Sequence, residues 1–420
     1  MTGAGRTGDV RVAFFGNVAN CLFQVARALR GCPGIDAHLF VGRTDSLFGR
    51  PESADPRLAD GYPDWIHEGE WITPASVAAP WLAPITRHLR DFDVVVVSGP
   101  GPIFAQWAGR PWCWFVSGGD LTVKPFPLTF LSWYSGLPHK LGEVVGGAWQ
   151  RRAARRADRL WVQPFAPMAD GLRRLRVPSA SISPRYLPLV VDTDVLRPDR
   201  PIADPEDPVV RRMLAAGLAV LHPSRLIMRD DPRLRRTGQW KGNDILIRGF
   251  AELVKAGEVR NPLLVMPAMG LSRDLAAGRA LVSALGIDDQ VVWAEPPHRD
   301  AFPRHKLLDF YLAADVVASD FGVGWFGYVT LEGLAAGKPV LSHIDDVAMA
   351  KLYPDGHPIC EAADPQAVCE RLLQLWREPA AAARIGQLGR QWVVAHHAPE
   401  AAGARYVDAV TELVAELAAR

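Results

Sequence analysis

Short apolar runs and longer amphipathic stretches alternate along the whole chain. Val10–Phe15, Ala37–Val41, Asp93–Ser98, Trp112–Val116 and Arg159–Val162 are rich in Val, Phe and Trp. They predict buried parallel strands, which are covered on both faces and so show no polar alternation. A second series predicts the same over Leu218–Pro223, Pro262–Met266, Gln290–Trp293, Asp315–Ala318 and Pro339–Ser342. Helical stretches lie between them, one of which, Ala19–Arg30, is expected to end at Gly31 in the C′ position. Alternating strand and helix implies parallel sheets with right-handed crossovers. The pattern breaks at Leu187–Pro208, where five prolines and several aspartates predict an extended linker. The expected organisation is α/β: an N-terminal Rossmann-like domain over 1–190, a linker over 191–208, a C-terminal Rossmann-like domain over 209–397, and a helix over 398–420 packing back on the first domain.

Composition narrows the classes. The 420 residues are 49% hydrophobic and 22% charged, which is ordinary for a soluble enzyme of two or three domains. A formal net charge of +1 argues against nucleic acid as a partner, since that calls for a strongly basic domain. The five cysteines are scattered and form no C-x-x-C, the pattern of reduced intracellular thiols and not of a zinc site. Met1–Asp9 lacks the apolar core of a signal peptide, and no apolar run nears the roughly 20 residues of a membrane span. A cytoplasmic location is expected.

Ligands of such sheets sit beyond the carboxyl ends of the strands, where helix N-termini offer free N–H groups. The most informative stretch there is Ser319–His343, SDFGVGWFGYVTLEGLAAGKPVLSH. A strand runs into a loop carrying Gly322, Gly324 and Gly327, and a short helix is expected from about Tyr328 to Ala336, closed by Gly337. Glycines permit close backbone approach, and the first N–H groups of the helix, from Gly327 through Tyr328 and Val329, suit a phosphate. Glu332, expected in about the first turn, suits a vicinal diol such as a ribose. Trp325 and Phe326 fall in the loop, and Trp325 is a candidate to stack on a sugar or acceptor. The competing reading is a loop that merely turns strand into helix, with Glu332 as a capping carboxylate.

This stretch resembles the signature of the retaining GT-B glycosyltransferases of family four (glycosyl transferases group 1), whose pattern is Glu, seven residues, Glu, then Ala-x-Ala-x-Gly-x-Pro-Val. F-G-Y-V-T-L-E-G-L-A-A-G-K-P-V matches its second half, Ala314-Asp315-Val316 its strand entry, and Val191–Pro198 its interdomain segment. Asp364-Pro365 and the helices to Trp392 match its C-terminal tail. The resemblance implies a GT-B architecture, two Rossmann-like domains facing each other across a cleft, and transfer of a sugar from a nucleoside-diphosphate sugar. It also implies retention by front-face return, in which the leaving phosphate helps deprotonate the acceptor, with no metal and no further cofactor. One departure stands out: counted from Asp315, the first motif glutamate, which in the family contacts hydroxyls of the donor sugar, falls on Gly324. Asp320, four residues earlier, is the nearest substitute.

Ser224-Arg225-Leu226 and Lys241-Gly242 resemble the family pair in which both cations grip the donor diphosphate. Positioned cations stabilise charge developing on a leaving diphosphate without a metal. Between them Ile227–Trp240 carries Arg229, Arg233, Arg235 and Arg236. It reads either as a lid over the diphosphate or as a solvated insertion.

In the N-terminal half, Gly16 and Asn17 follow the first strand, either touching the donor or, for Asn17, capping the next helix. Ser117-Gly118-Gly119-Asp120 resembles the family's His-Gly-Ser-Asp turn. Asp120 is therefore placed with Arg225 and Lys241 as a catalytic candidate, against a turn-capping role. Arg151–Arg156 is a basic helical stretch, either a weak peripheral membrane contact or a solvated face. The acceptor, whether natural product, glycan or lipid-linked, is not identified. Two alternatives to transfer stand beside it: a nucleotide-sugar epimerase or hydrolase on the same fold, and a non-catalytic nucleotide-sugar-binding protein in which Gly324 marks the lost activity.

Overall fold

The computed structural model describes residues 9–43, 45–127, 137–296, 302 and 304–418. The chain divides into two compact units, Met1–Val190 with Pro399–Arg420, and Val191–Ala398. Most of the amino-terminal segment read above for a signal, residues 1–8, lies outside the described residues, as do the last two residues.

Each unit is built on its own six-stranded parallel sheet. The first contains β1 (Val10–Phe15), β2 (Ile35–Gly42), β3 (Ile66–Gly69), β4 (Val94–Val97), β5 (Trp112–Phe115) and β6 (Arg159–Trp161), in the order β3-β2-β1-β4-β5-β6. The second contains β7 (Leu218–Leu221), β8 (Pro262–Pro267), β9 (Val291–Ala294), β10 (Val316–Ala318), β11 (Val340–Ser342) and β12 (Cys360–Glu361), in the order β12-β11-β10-β7-β8-β9. Both are doubly wound sheets whose strand order reverses once, between β1 and β4 and between β7 and β10. At such a reversal the flanking helices leave on opposite faces and open a crevice at the strands' carboxyl ends.

The central strands are apolar because helices cover them on both sides. β4 is four consecutive buried valines, and Trp114 of β5 is wholly buried with Phe104 and Leu121. In the second unit Leu246, Ile247 and Phe250 of helix Asn243–Ala256 pack against β7, β8 and β10. Two strands absent from the sequence reading, β3 and β12, each lie at one edge of their sheet, opposite β6 and β9. Helix Cys21–Arg30 starts later than expected, after a turn in which Ala19 and Asn20 hold φ of 52° and 58°. Gly31 ends it in right-handed conformation, φ −76°, and not in the left-handed C′ geometry. All five cysteines are free, and among the described residues no helix is long and apolar enough to cross a membrane.

Segment 191–198 is fastened within the second unit. Arg390 donates to the carbonyls of Thr193 and Leu196 and to that of Ala335, at the end of helix Tyr328–Ala335. Helix Pro399–Ala418 belongs to the first unit, where Tyr406 is buried against Trp161 and donates to the Pro188 carbonyl.

Candidate functional site

In the second unit the carboxyl ends of β7 and β10 are joined by a buried polar network. His222, directly after β7, donates from Nδ1 to the Ala318 carbonyl at the end of β10 (2.9 Å) and accepts at Nε2 from Asn243 (2.8 Å). The carbonyl can only accept and the Asn243 amide nitrogen can only donate, so Nδ1 holds the one proton and the ring is neutral; burial pushes the imidazole down to about 4. Asn243 Oδ1 in turn accepts from the Ile227 amide, which fixes the path of the 222–227 segment. Arg225 emerges from that segment into solvent. Its guanidinium donates to Gln239 (2.9 Å) and pairs with no carboxylate among the described residues.

Lys241 is half-buried, its Nζ 2.5 Å from Asp320 Oδ2. Asp320 follows β10 and accepts from the amides of Gly322 and Val323 as well, so one carboxylate shapes the glycine loop and aims the lysine. An ammonium has three donors, and Asp320 takes one of them. Gly242, at φ +64°, would drive a Cβ to 2.8 Å from Phe321 Cβ, and one on Gly322 would lie 2.2 Å from the Trp240 carbonyl oxygen. The loop and the lysine segment therefore meet backbone to backbone.

Helix Tyr328–Ala335 begins at Gly327 with no side-chain cap, so its first amides are left for a ligand or water. It closes with a Schellman turn, Gly337 at φ +72° and the Lys338 amide donating to the Gly333 carbonyl. Glu332 is the fifth residue of this helix, just past its first turn. The buried Tyr311 hydroxyl donates to its Oε2 (2.7 Å). Tyr328 and Val329 are half-buried at the helix start. Trp325, expected to face a ligand from its loop position, is 3% exposed and stacked on Phe326, whose own ring packs edge-on against Trp392 and His397. Both aromatics anchor the loop to the core.

Gly324 takes φ +69°. Its carbonyl accepts from the Asp345 amide (2.9 Å). The arginines of the 227–240 segment are mostly engaged locally. Arg229 pairs with the buried Asp274, Arg233 with Asp231, and Arg235 with Asp230 while lying 3.5 Å over the Trp240 ring. Leu234, Thr237 and Trp240 are buried, so the segment is a folded part of the unit, with the short helix Pro232–Arg236 at its centre. Among the described residues no group of three or more His, Cys, Asp or Glu side chains is placed to hold a metal ion.

The first unit has the same crevice position between β1 and β4. A Cβ on Gly16 would lie 2.0 Å from the Ser98 carbonyl oxygen, which makes this glycine a requirement of the crossing loops. Asn17 is buried. Its amide donates to Asn20 and the Gly49 carbonyl, and its oxygen accepts from the Phe23 amide in the first turn of helix Cys21–Arg30. Asp120 is 5% exposed and accepts from Trp114 Nε1 (3.0 Å) and from the amides of Gly99 and Ser117. Burial raises its carboxyl above the usual range against the pull of these donors. In this structure both side chains are spent on holding turns. Of the Arg151–Arg156 cluster, Arg151 and Arg155 donate to the Pro125 and Leu175 carbonyls, and Arg152 lies over the Trp107 ring.

Comparison with known proteins accords with this geometry. No family model matches the chain. It is 27% identical over 239 residues to a GDP-mannose-dependent alpha-(1-6)-phosphatidylinositol monomannoside mannosyltransferase of Mycolicibacterium smegmatis, covering 55% of this chain and 56% of that protein. It is 31% identical over 188 residues to D-inositol 3-phosphate glycosyltransferase 1 of Catenulispora acidiphila, covering 43% and 41%. The chain thus spans about half the length of these relatives, or less. Among solved structures, Anabaena Alr3699/HepE in complex with UDP and glucose superposes with a TM-score of 0.64 at 15% identity, covering 96% of this chain and 100% of that one. Sucrose-phosphate synthase from Thermosynechococcus elongatus gives 0.61 at 16%, covering 97% and 100%.

The homologues are GT-B glycosyltransferases of the group 1 type. In this GT-B chain the candidate residues Arg225, Lys241, Gly324, Gly327, Tyr328, Val329 and Glu332 come together in the second unit at the carboxyl ends of β7 and β10, with Trp325 and Phe326 packed beneath the loop. Gly16, Asn17 and Asp120 gather at the matching point of the first unit. Sequence reasoning missed His222, Asn243 and Tyr311. His222 directly follows a buried strand on the ligand side of the sheet, and that position was the available signal.

Proposed function

We propose that this chain transfers a sugar from a nucleoside-diphosphate sugar to an acceptor hydroxyl or amine, with retention and without a metal or other cofactor. The observation that carries the reading is the convergence, at the strand-order reversal of the second unit, of two cations from different segments with an uncapped helix N-terminus. That combination suits a diphosphate, whose developing negative charge as the glycosidic bond breaks is met by Arg225, Lys241 and the first amides of helix Tyr328–Ala335. Glu332, held by Tyr311, is the group for the ribose diol. The leaving phosphate takes up the acceptor proton in this reading, so no side-chain nucleophile is required. The glycosyltransferase names of the relatives support transfer over epimerisation or hydrolysis.

A thermal-shift titration with UDP-, GDP-, ADP- and TDP-sugars, first without and then with divalent metal, tests this. One donor is expected to raise the melting temperature independently of metal. Glu332→Gln should weaken binding of the matching free nucleoside diphosphate. No shift with any donor would sink the donor-binding reading. Binding without turnover in the presence of candidate acceptors would move it to the non-catalytic alternative.

A further inference from the structure

Three adjacent strands end in polar residues that form one continuous row. Asp320 follows β10 by two residues, His343 follows β11 directly, and Glu361 ends β12. The Asp320 carbonyl accepts from the His343 amide (2.9 Å) and from Ser342 Oγ (2.7 Å), which locks the first two together. Glu361 completes the row. Its Oε1 bonds His343 Nδ1 (2.9 Å) and its Oε2 accepts from the Ile344 amide (2.5 Å). A carboxylate only accepts, so Nδ1 holds the proton and the dyad fixes both tautomer and ring orientation. Nε2 has no hydrogen-bond partner among the described residues.

That nitrogen has a defined address. A Cβ built on Gly324 would lie 3.5 Å from His343 Nε2, and 3.6 Å from both Cβ and N of Asp345. The imidazole edge therefore stands beside the bare backbone of the glycine loop, in the position from which a side chain at 324 would act. Asp345 caps helix Asp346–Ala350, its Oδ1 accepting from the Ala348 amide. Asp320 is held by Lys241 and the loop amides. His343 turns its unpartnered ring nitrogen toward this loop, and its side chain is about one third exposed. An imidazole nitrogen beside the glycine-loop backbone suits the hydroxyl of a sugar.

We propose that His343 is a specificity-determining residue that accepts a hydrogen bond from a hydroxyl of the donor sugar, and that Glu361 is the positioning residue that fixes its tautomer. The proposal rests on the donor-binding reading above. It accounts for a donor site that carries glycine at 324.

The experiment is a calorimetric comparison of UDP-glucose, GDP-mannose, ADP-glucose and TDP-glucose with the corresponding free diphosphates, on the wild-type full chain and on His343→Ala. His343→Ala is expected to weaken the bound nucleotide sugar about five- to tenfold while leaving the matching diphosphate within about twofold, the worth of one hydrogen bond. A deoxy analogue of the same donor should lose as much on the wild type, and nothing further on His343→Ala. Glu361→Gln should give part of the same loss and shift the ¹⁵N signals of the His343 ring away from a single Nδ1–H tautomer, which a merely structural role would leave in place. His343→Gln, which keeps an acceptor, serves if the alanine variant fails to fold, and should retain more of the sugar affinity. Equal loss of diphosphate and nucleotide sugar overturns the assignment, as does wild-type affinity of His343→Ala for both. A wild-type chain that binds the diphosphate but gains nothing from the sugar overturns it alone. A wild-type chain that binds neither overturns the donor reading with it.

Discussion

Arg225 and Lys241 carry similar charges but are held in different ways, and the difference predicts how each fails. Arg225 is exposed and its guanidinium, among the described residues, is tethered to the neutral Gln239 and to no carboxylate. Lys241 is half-buried against Asp320, which both orients the ammonium and offsets its charge. Removing Arg225 should cost charge alone. Removing Lys241 also leaves Asp320, 9% exposed in its side chain, without its cation. Arg225→Ala and Lys241→Ala are each expected to weaken donor binding or turnover at least about tenfold, on the scale of a charge-assisted hydrogen bond. Lys241→Ala should in addition lower the melting temperature, whereas Arg225→Ala should not. Steady-state kinetics with thermal melts of both variants decide the matter, and near-wild-type kinetics in both would remove the diphosphate assignment.

At the scale of elements, the site depends on two backbone segments approaching more closely than side chains allow. The loop after β10 and the segment before helix Asn243–Ala256 touch at Gly322 and Trp240, where a Cβ would stand 2.2 Å from a carbonyl oxygen. The obstacle is backbone, so a substituted loop must move, carrying Asp320 and with it Lys241. Gly322→Ala is expected to destabilise by roughly 1–3 kcal/mol, as overpacking does. It should also reduce donor affinity, and a variant with unchanged melting and affinity would show that the contact is dispensable. These elements were largely legible beforehand: ten of the twelve strands stand out as apolar runs, because strands covered on both faces must be apolar. β3 and β12 escaped because, unlike the other two edges β6 and β9, one is polar and the other very short. Ile66–Gly69 reads IHEG, and β12 is two residues long. The glycine loop, Glu332 and the two cations were visible as residue types in the right order. Their partners were not, since Lys241–Asp320 spans 79 positions and His343–Glu361 spans 18, and sequence alone assigns no distance across them. Trp325 misled because a loop position says nothing of burial.

For the molecule as a whole, the two units carry buried titratable groups that respond to acid in opposite directions. In the first unit, burial raises the Asp120 carboxyl, so the folded state takes up its proton before the unfolded chain does, and acid favours folding there. In the second, His222 is depressed from 6.5 to about 4. Its contribution is fully present above about pH 6.5 and is lost as pH falls toward 4, because the unfolded imidazole gains a proton that the folded one refuses. Between pH 7 and pH 5 the loss is about 2 kcal/mol. For a unit of this size that lowers the melting temperature by roughly 4–8 °C. Glutamine at 222 offers one donor and one acceptor to Ala318 and Asn243 but has no proton to gain, so His222→Gln should abolish most of this acid sensitivity even if it is less stable at pH 7. Calorimetric melts of wild type and His222→Gln at pH 7, 6 and 5 make the comparison. Parallel curves for the two proteins would show that the acid response of the Val191–Ala398 unit arises elsewhere. Converging curves would place it on the histidine that joins β7 to β10 near Arg225 and Lys241, and on the proposed reading donor affinity should then fall over the same pH interval as that join loosens.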